Sequence, residues 1–439
     1  MSHATLPVAV IGAGPIGLAA AAHLISRGKT PVVLEAGDAV GASILKWAHV
    51  RVFSPWQFTT DHVAAALLEA SGWTHPPADA LPTGGELVER YLRPLAELPA
   101  IAPHLRLNTK VLSVTRQGFD KMKSPGREDA PFVVRVSSAG VEEEILASAV
   151  IDASGTYSTP NPLGGNGVPA IGEAEAADRI VYGIPNVLGR DRDRYAGRRV
   201  MVVGSGHSAF NALIDLGRLA DEAPSTRIAW VVRRADMRQL FGGESNDMLP
   251  ARGLLGTMVR KMVEAGSLTF VSGFKIQRLA RTSDGIVVSS LDRSLPLVDE
   301  IIGATGFRPD LSLFSELRVD LDPGVEAPSA LAPLIDPNVH SCGSVPPHGE
   351  AELRHPEPGF YVVGMKSYGR APTFLMLTGY EQVRSVVAAI AGDMEAARNV
   401  ELVLPGTGVC STDLTDDPAP SHDLPVLAGV GSAPSVCCR

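Results

Sequence analysis

Residues 8–35 read VAVIGAGPIGLAAAAHLISRGKTPVVLE. The small apolar run Val8 to Ile11 suits a buried parallel strand. Gly12, Gly14 and Gly17 follow at G-x-G-x-x-G spacing, with Pro15 inside the turn. An Ala-rich apolar helix pattern then runs to about Arg27, and Gly28 stands where a helix would stop. A second apolar run, Pro31 to Leu34, ends in Glu35. Gly12 permits the tight turn, Gly14 lets a pyrophosphate approach the backbone, and Gly17 lets helix and strand pack closely. The unpaired N–H groups at the helix start face the phosphates, and Glu35 can accept hydrogen bonds from an adenosine ribose. The stretch therefore predicts a dinucleotide cradle.

The chain has 439 residues, enough for two or three domains with ample core. Hydrophobic residues make up 45% and charged residues 20%, ordinary for a globular protein. A formal net charge of −9 without a basic run argues against nucleic-acid partners. The Ile16–Ile25 segment is too short to span a bilayer, so no membrane association is expected. A strand beginning by Val8 leaves no signal-peptide pattern. Four cysteines in a chain this long make no disulfide framework, so a cytoplasmic location with reduced thiols is expected.

Beyond Glu35, the residues Trp47, His49, Arg51, Phe53 and Trp56 crowd an otherwise aromatic-poor sequence. Trp47, Arg51 and Trp56 are candidates to wrap a planar cofactor ring, the alternative being a packed loop. Leu87 to Leu98 reads as an amphipathic helix. Leu105 to Val114, Phe132 to Val136 and Ile145 to Ile151 read as strands, and Gln117 to Ala130 as an exposed connection. Pro160 to Pro169 reads as a linker.

A second cradle begins at Arg199. The strand RVMVV is followed by Gly204, Gly206, Ser208 and Ala209, giving G-x-G-x-x-A, and by a helix pattern to about Leu219. The next strand, Ile228 to Val232, ends in Arg233 and Arg234, with no acid where Glu35 stood. A carboxylate there would repel a ribose 2′-phosphate, whereas two guanidiniums attract it. The first cradle thus suits an adenosine with a free ribose and the second a phosphorylated one. Bound FAD and exchangeable NADPH satisfy that pairing.

The two fingerprints, with Asp152-Ala153-Ser154-Gly155 and Ala304-Thr305-Gly306-Phe307-Arg308-Pro309, are the basis of a family resemblance. Over about residues 7 to 395 the chain resembles flavoproteins with two dinucleotide-binding domains, a group that includes disulfide reductases and flavin-containing monooxygenases. The resemblance implies an α/β fold of two Rossmann-like three-layer domains, the NADPH domain inserted in the FAD domain. The expected segments are 1–165 and 311–404 for FAD, 166–310 for NADPH, and 405–439 as a flexible cysteine-containing tail. It also implies cofactor contacts at Gly155, Thr305, Gly306 and Gly364, and a helix beginning near Pro372-Thr373 whose start faces the flavin. Thr373 is the cofactor candidate there. Lys366, Tyr368 and Arg370 either meet flavin oxygens or lie in a solvated loop. A homodimer is a family expectation.

The chemistry divides on cysteine. No C-x-x-C or C-x4-C pair stands in 43–58 or in the second cradle, and Gly364-Met365 replaces the usual Gly-Asp of disulfide reductases. The sequence resembles the monooxygenase branch, whose F-x-G-x-x-x-H-x-x-x-[FWY] fingerprint is met in part by Tyr182-Gly183 and Tyr195, without its histidine. The expected partners are oxygen and a small-molecule substrate, organosulfur, nitrogen or metalloid. Cys410, Cys437 and Cys438 lie in a Pro/Gly/Ser-rich tail and suit a soft metal or metalloid, as in mercuric reductases and some arsenic-resistance flavoproteins. The alternatives are a reductase of a thiolate-bound metal or metalloid, and a flavin-containing sensor or chaperone. His49, His207, His340 and His348 lack metal-ligand spacing. No single side chain is assigned as catalytic acid or base.

Overall fold

The computed structural model describes residues 6–402, except 236–239, 245–246, 248, 340–344 and 373. Thr373, Cys342, Cys410, Cys437 and Cys438 therefore lie outside the described residues. Two compact units emerge, and the chain passes between them at Asn161–Pro162 and Thr305–Gly306, with Asp247 and 249–251 counted in the first unit.

In the first unit, Val8–Ile11 forms β1, buried at every position. Pro15–Ser26 forms α1. From Ile16 to Leu24 α1 is buried on all sides, which explains why alanine fills it: a helix covered all round needs small apolar residues. It packs against the helices His62–Glu69 and Met376–Ile390. Gly28, at φ +67°, closes it, while the Lys29 N–H donates to Leu24 O at 2.9 Å.

The following strands are β2 (Pro31–Leu34), β3 (Leu105–Arg106), β4 (Thr109–Arg116), β5 (Phe132–Ser138), β6 (Val141–Ala147) and β7 (Ala149–Asp152). Two apolar runs that read as single strands are each cut in two. Leu105 to Val114 breaks at Asn108, which turns with φ +50°. Ile145 to Ile151 breaks at Ser148, whose N–H donates to Pro7 O at 2.9 Å. In both cases one piece joins the parallel sheet and the other the antiparallel sheet β4-β5-β6. The expected helix at Leu87 begins earlier, at Gly84, where Thr83 and Glu86 form a capping box.

The second unit holds β8 (Ile180–Tyr182), β9 (Arg199–Val203), β10 (Arg227–Val231), β11 (Thr269–Val271), the hairpin β12 (Arg278–Thr282) and β13 (Gly285–Ser289), and β14 (Glu300–Gly303). Its five-stranded sheet runs β11-β10-β9-β14-β8, parallel throughout. The helix α2, His207–Glu222, buries Leu213, Leu216 and Leu219 against Val200, Val202 and Trp230. Pro160 to Pro169 is more tightly packed than a linker. Leu163 is buried, a Cβ on Gly164 would lie 2.0 Å from Val168 O, and the Ala170 N–H donates to Glu173 Oε2 at 2.7 Å.

On return to the first unit, β15 (Phe360–Val362) pairs with β7 and completes the parallel order β15-β7-β1-β2-β3. The last long helix, α3, is Met376–Ile390. It starts later than the sequence implied, because Leu375 is extended (φ −109°, ψ 140°), so Pro372 is not its first residue. Among the described residues, no helix is long and apolar enough to cross a membrane.

Candidate functional site

Each parallel sheet ends in a glycine turn at the carboxyl edge of its central strand, where open α/β sheets bind ligands. In the first turn the three glycines do different things. A Cβ on Gly12 would lie 2.8 Å from Ala153 O, and one on Gly17 1.9 Å from Gly12 O. A Cβ on Gly14 would meet nothing within 4 Å. Space therefore lies open over Gly14, beside the first turn of α1 and its unpaired N–H groups.

Glu35 follows β2 next to this turn. Its Oε2 accepts from the Ala13 N–H at 2.7 Å and its Oε1 from the Gly37 N–H at 2.8 Å. Two amides thus fix the carboxylate, and each oxygen keeps a lone pair for hydroxyl donors. On the neighbouring strand end, Gly155 turns with φ +70° and has open space where a Cβ would be.

Lys366 is neither a solvated loop residue nor free to reach a ligand. It is 1% exposed, and its Nζ donates to Asp152 Oδ2 at 2.7 Å and to Ser154 Oγ at 3.1 Å. This buried pair fastens the turn after β15 to the end of β7. Tyr368 is buried and Arg370 pairs with Glu326 at 2.9 Å. Gly364, at φ +69°, sits against α1, where its Cβ would approach Ile16 Cγ1 to 3.1 Å.

The aromatic segment divides by burial. Trp56 is 1% exposed in the core, so its ring has no face left for a ligand. Trp47 is half-buried and its ring packs on Gly84. Arg51 is exposed and donates to Leu81 O. Sequence reading also missed His23 and Asp61. His23 Nε2 and Asp61 Oδ2 are 3.1 Å apart, and Asp61 Oδ1 caps the helix His62–Glu69 through the Ala64 N–H at 2.9 Å. Exposed His62 lies beside them. The buried pair satisfies itself and anchors that helix to α1.

The second turn repeats the division of labour. A Cβ on Gly204 (φ +132°) would lie 2.2 Å from Ala304 O, whereas one on Gly206 would meet nothing within 4 Å. Ser208 is half-buried in the first turn of α2, and Ala209 is fully buried where the helix meets the sheet. Trp230 Nε1 donates to Gly204 O at 2.7 Å and holds the turn. No sequence signal marked that role. Arg233 and Arg234 are exposed just past the end of β10, as Glu35 stands just past the end of β2. Thr305 is half-buried and follows β14, while Gly306 turns with φ +85°. Of the partial fingerprint, Tyr182 Oη donates to Glu173 Oε1 at 2.5 Å and Tyr195 is fully buried, so both serve the packing of this unit. His207 opens α2 and meets Phe210 edge-on.

Two parallel sheets, each with a strand, an open glycine turn and a helix, define a Rossmann-like α/β protein with two dinucleotide cradles. Residues 9–328 match the family model described as pyridine nucleotide-disulphide oxidoreductase, and the chain belongs to that family. A curated relative, "Flavin-containing monooxygenase FMO GS-OX-like 2" of Arabidopsis thaliana, is 27% identical over 239 residues. The match covers 49% of this chain and 48% of the relative, so the chain spans about half of its length. Among solved structures, the bacillithiol disulfide reductase Bdr (YpdA) of Bacillus cereus matches with a TM-score of 0.65 at 19% identity, covering 88% of this chain and 99% of that one. The FAD-bound cadaverine monooxygenase DfoA of Erwinia amylovora matches with a TM-score of 0.59 at 13% identity, covering 96% and 100%. At these identities the structures speak to the fold.

Proposed function

We propose that the chain is an FAD-dependent, NADPH-consuming oxidoreductase, and a monooxygenase of the flavin-containing type acting on a soft nucleophile. The observation that carries this reading is the contrast between the two cradles. Glu35 follows the second strand of one, and Arg233 with Arg234 follow that of the other. A carboxylate selects ribose hydroxyls and disfavours a 2′-phosphate, and guanidiniums do the reverse.

The first unit would hold FAD through Gly14, Glu35, Gly155 and the Gly364 turn. The second would hold NADPH through Gly206, Ser208 and the two arginines. When bound, the flavin supplies the redox chemistry, taking a hydride from NADPH and passing electrons to an acceptor. The chain's own residues orient the two nucleotides and fix their charges. Glu35 is held ready by two amides, so little ordering remains to be done on binding.

Cysteine placement supports oxygen as the acceptor. All four cysteines lie at 342 or beyond, so the aromatic segment 43–58 and the second cradle hold no dithiol to accept electrons. The Arabidopsis relative's name supports the same branch. The substrate class is a sulfur or nitrogen nucleophile or a thiol-bound trivalent arsenical, the last resting on the tail cysteines. A reductase of a thiolate-bound metal or metalloid is the competing activity, and the Bacillus cereus neighbour is named as a reductase of a disulfide.

Oxygen dependence separates the readings. Substrate-stimulated NADPH consumption should stop under anaerobic conditions and return with air. Consumption that persists without oxygen would assign the chain to the reductases.

A further inference from the structure

The turn Gly364–Tyr368 is held by a hydrogen-bond relay in which every amide and hydroxyl is assigned a direction. The Gly364 N–H donates to Gln382 Oε1 at 2.7 Å, and Ser367 Oγ donates to Gly364 O at 2.8 Å. Gln382 Nε2 lies 2.9 Å from Ser367 Oγ and 2.9 Å from His348 Nε2. His348 Nδ1 lies 3.1 Å from Pro346 O. Gln382 and Ser367 are 0% exposed and His348 1%. Both polar groups of the Gly364 backbone are thus gripped by side chains, the carbonyl by Ser367 three residues on and the N–H by Gln382 of α3.

The directions follow from one fact. A carbonyl only accepts, so His348 Nδ1 must carry a proton to bond Pro346 O. In the neutral ring Nε2 is then an acceptor, and it takes one Gln382 amide hydrogen while Ser367 Oγ takes the other. That leaves Oε1 facing the Gly364 N–H. Turning the amide over would set donor against donor at Gly364 and acceptor against acceptor at His348. Burial holds the ring neutral by lowering its pKa, against the raising effects of the Pro346 bond, Glu352 and Glu381. The Tyr368 ring, 5.7 Å away, adds no charge because burial raises its own pKa.

A doubly protonated His348 has no acceptor to offer. Its Nε2–H would confront the Gln382 amide hydrogens, and only an inverted amide would relieve the clash, at the expense of Gly364. The turn concerned ends β15 at the carboxyl edge of the first sheet and rests on Ile16 of α1, alongside the open glycine cradle.

We propose that Gln382, oriented by neutral His348, is a positioning residue that keeps the Gly364 turn in its flavin-binding shape, and that protonation of His348 loosens the hold on FAD. This rests on the reading that the first unit binds FAD. The relay makes flavin retention pH-sensitive. Affinity is full where His348 is neutral and falls as acid protonates it, below the ordinary imidazole range.

The test uses the full-length holoprotein and the fluorescence of released FAD, titrated from neutral to acid pH for wild type, His348→Gln and Gln382→Leu, with melting temperatures in parallel. Wild type should lose FAD affinity by about tenfold or more across the acid step, the scale of one buried hydrogen bond. His348→Gln offers Gln382 an acceptor that does not titrate, so it should bind FAD at neutral pH and lack the step. Gln382→Leu should bind about tenfold more weakly at neutral pH, with a flat profile. An acid step that survives unchanged in His348→Gln overturns the proposal, even if Gln382→Leu fails to fold. A Gln382→Leu protein that folds and binds FAD like wild type overturns it too. Wild type that binds no FAD at any pH overturns the FAD reading itself, which the variant results alone cannot do.

Discussion

Gly12 and Gly17 leave no room for a Cβ, whereas Gly14 does, and the same split recurs between Gly204 and Gly206. At residue scale this separates what the fold needs from what a ligand needs. Gly14 and Gly206 have ordinary extended backbones (φ −80° and −92°), so side chains there bring no strain. Gly14→Val and Gly206→Val should therefore fold with stability within about 1 kcal/mol of wild type. The first should bind FAD poorly and the second NADPH poorly, read by calorimetry or fluorescence. Gly17→Ala should fail to give folded protein, because its Cβ would fall 1.9 Å from a backbone oxygen. Arg233 and Arg234 belong to the same scale. Replacing both with alanine should raise KM for NADPH by about 10- to 100-fold, as loss of charge-assisted bonds does, and leave KM for NADH nearly unchanged. An equal loss with both nucleotides would remove the 2′-phosphate from their role.

At element scale, the sequence made the strands and helices of both cradles legible because their signals are local. A four- or five-residue apolar strand, glycines at fixed spacing and a small-residue helix all act on neighbours along the chain. Glu35 was legible for the same reason, being tied to the strand that ends beside the turn. What escaped depends on distant partners. Ser148 and Asn108 divide apolar runs between two sheets, and nothing within those runs announces the change of sheet. Lys366 finds Asp152 across 214 residues, so a loop position gave no warning of a buried ion pair. Trp56, a candidate either for a cofactor ring or for a packed loop, is core because its distant neighbours enclose it. The Lys366 pair yields a prediction at this scale. Lys366→Met leaves Asp152 buried without its cation, and removing one partner of such a pair costs about 3–5 kcal/mol. Chemical denaturation should show that loss, and the double variant Lys366→Met with Asp152→Leu should recover much of it. A single variant as stable as wild type would mean that the pair does not fasten the two strand ends.

On the scale of the whole molecule, one chain carries two copies of a strand, glycine turn and helix, with a carboxylate just past the second strand of one and two guanidiniums just past that of the other. The family and the architecture followed from that repetition, which two independent fingerprints made specific. The substrate did not, because specificity in such folds comes from side chains gathered by tertiary structure and leaves no periodic trace. A chain so built should hold a flavin and draw electrons to it from NADPH. The most direct measurement is the visible spectrum of the purified protein, reconstituted with FAD and then mixed anaerobically with NADPH. The expected result is a yellow protein carrying about one flavin per chain, bleached rapidly by NADPH and slowly by NADH. A colourless protein that takes up no FAD, or a flavin that NADPH leaves oxidised, would contradict that assignment.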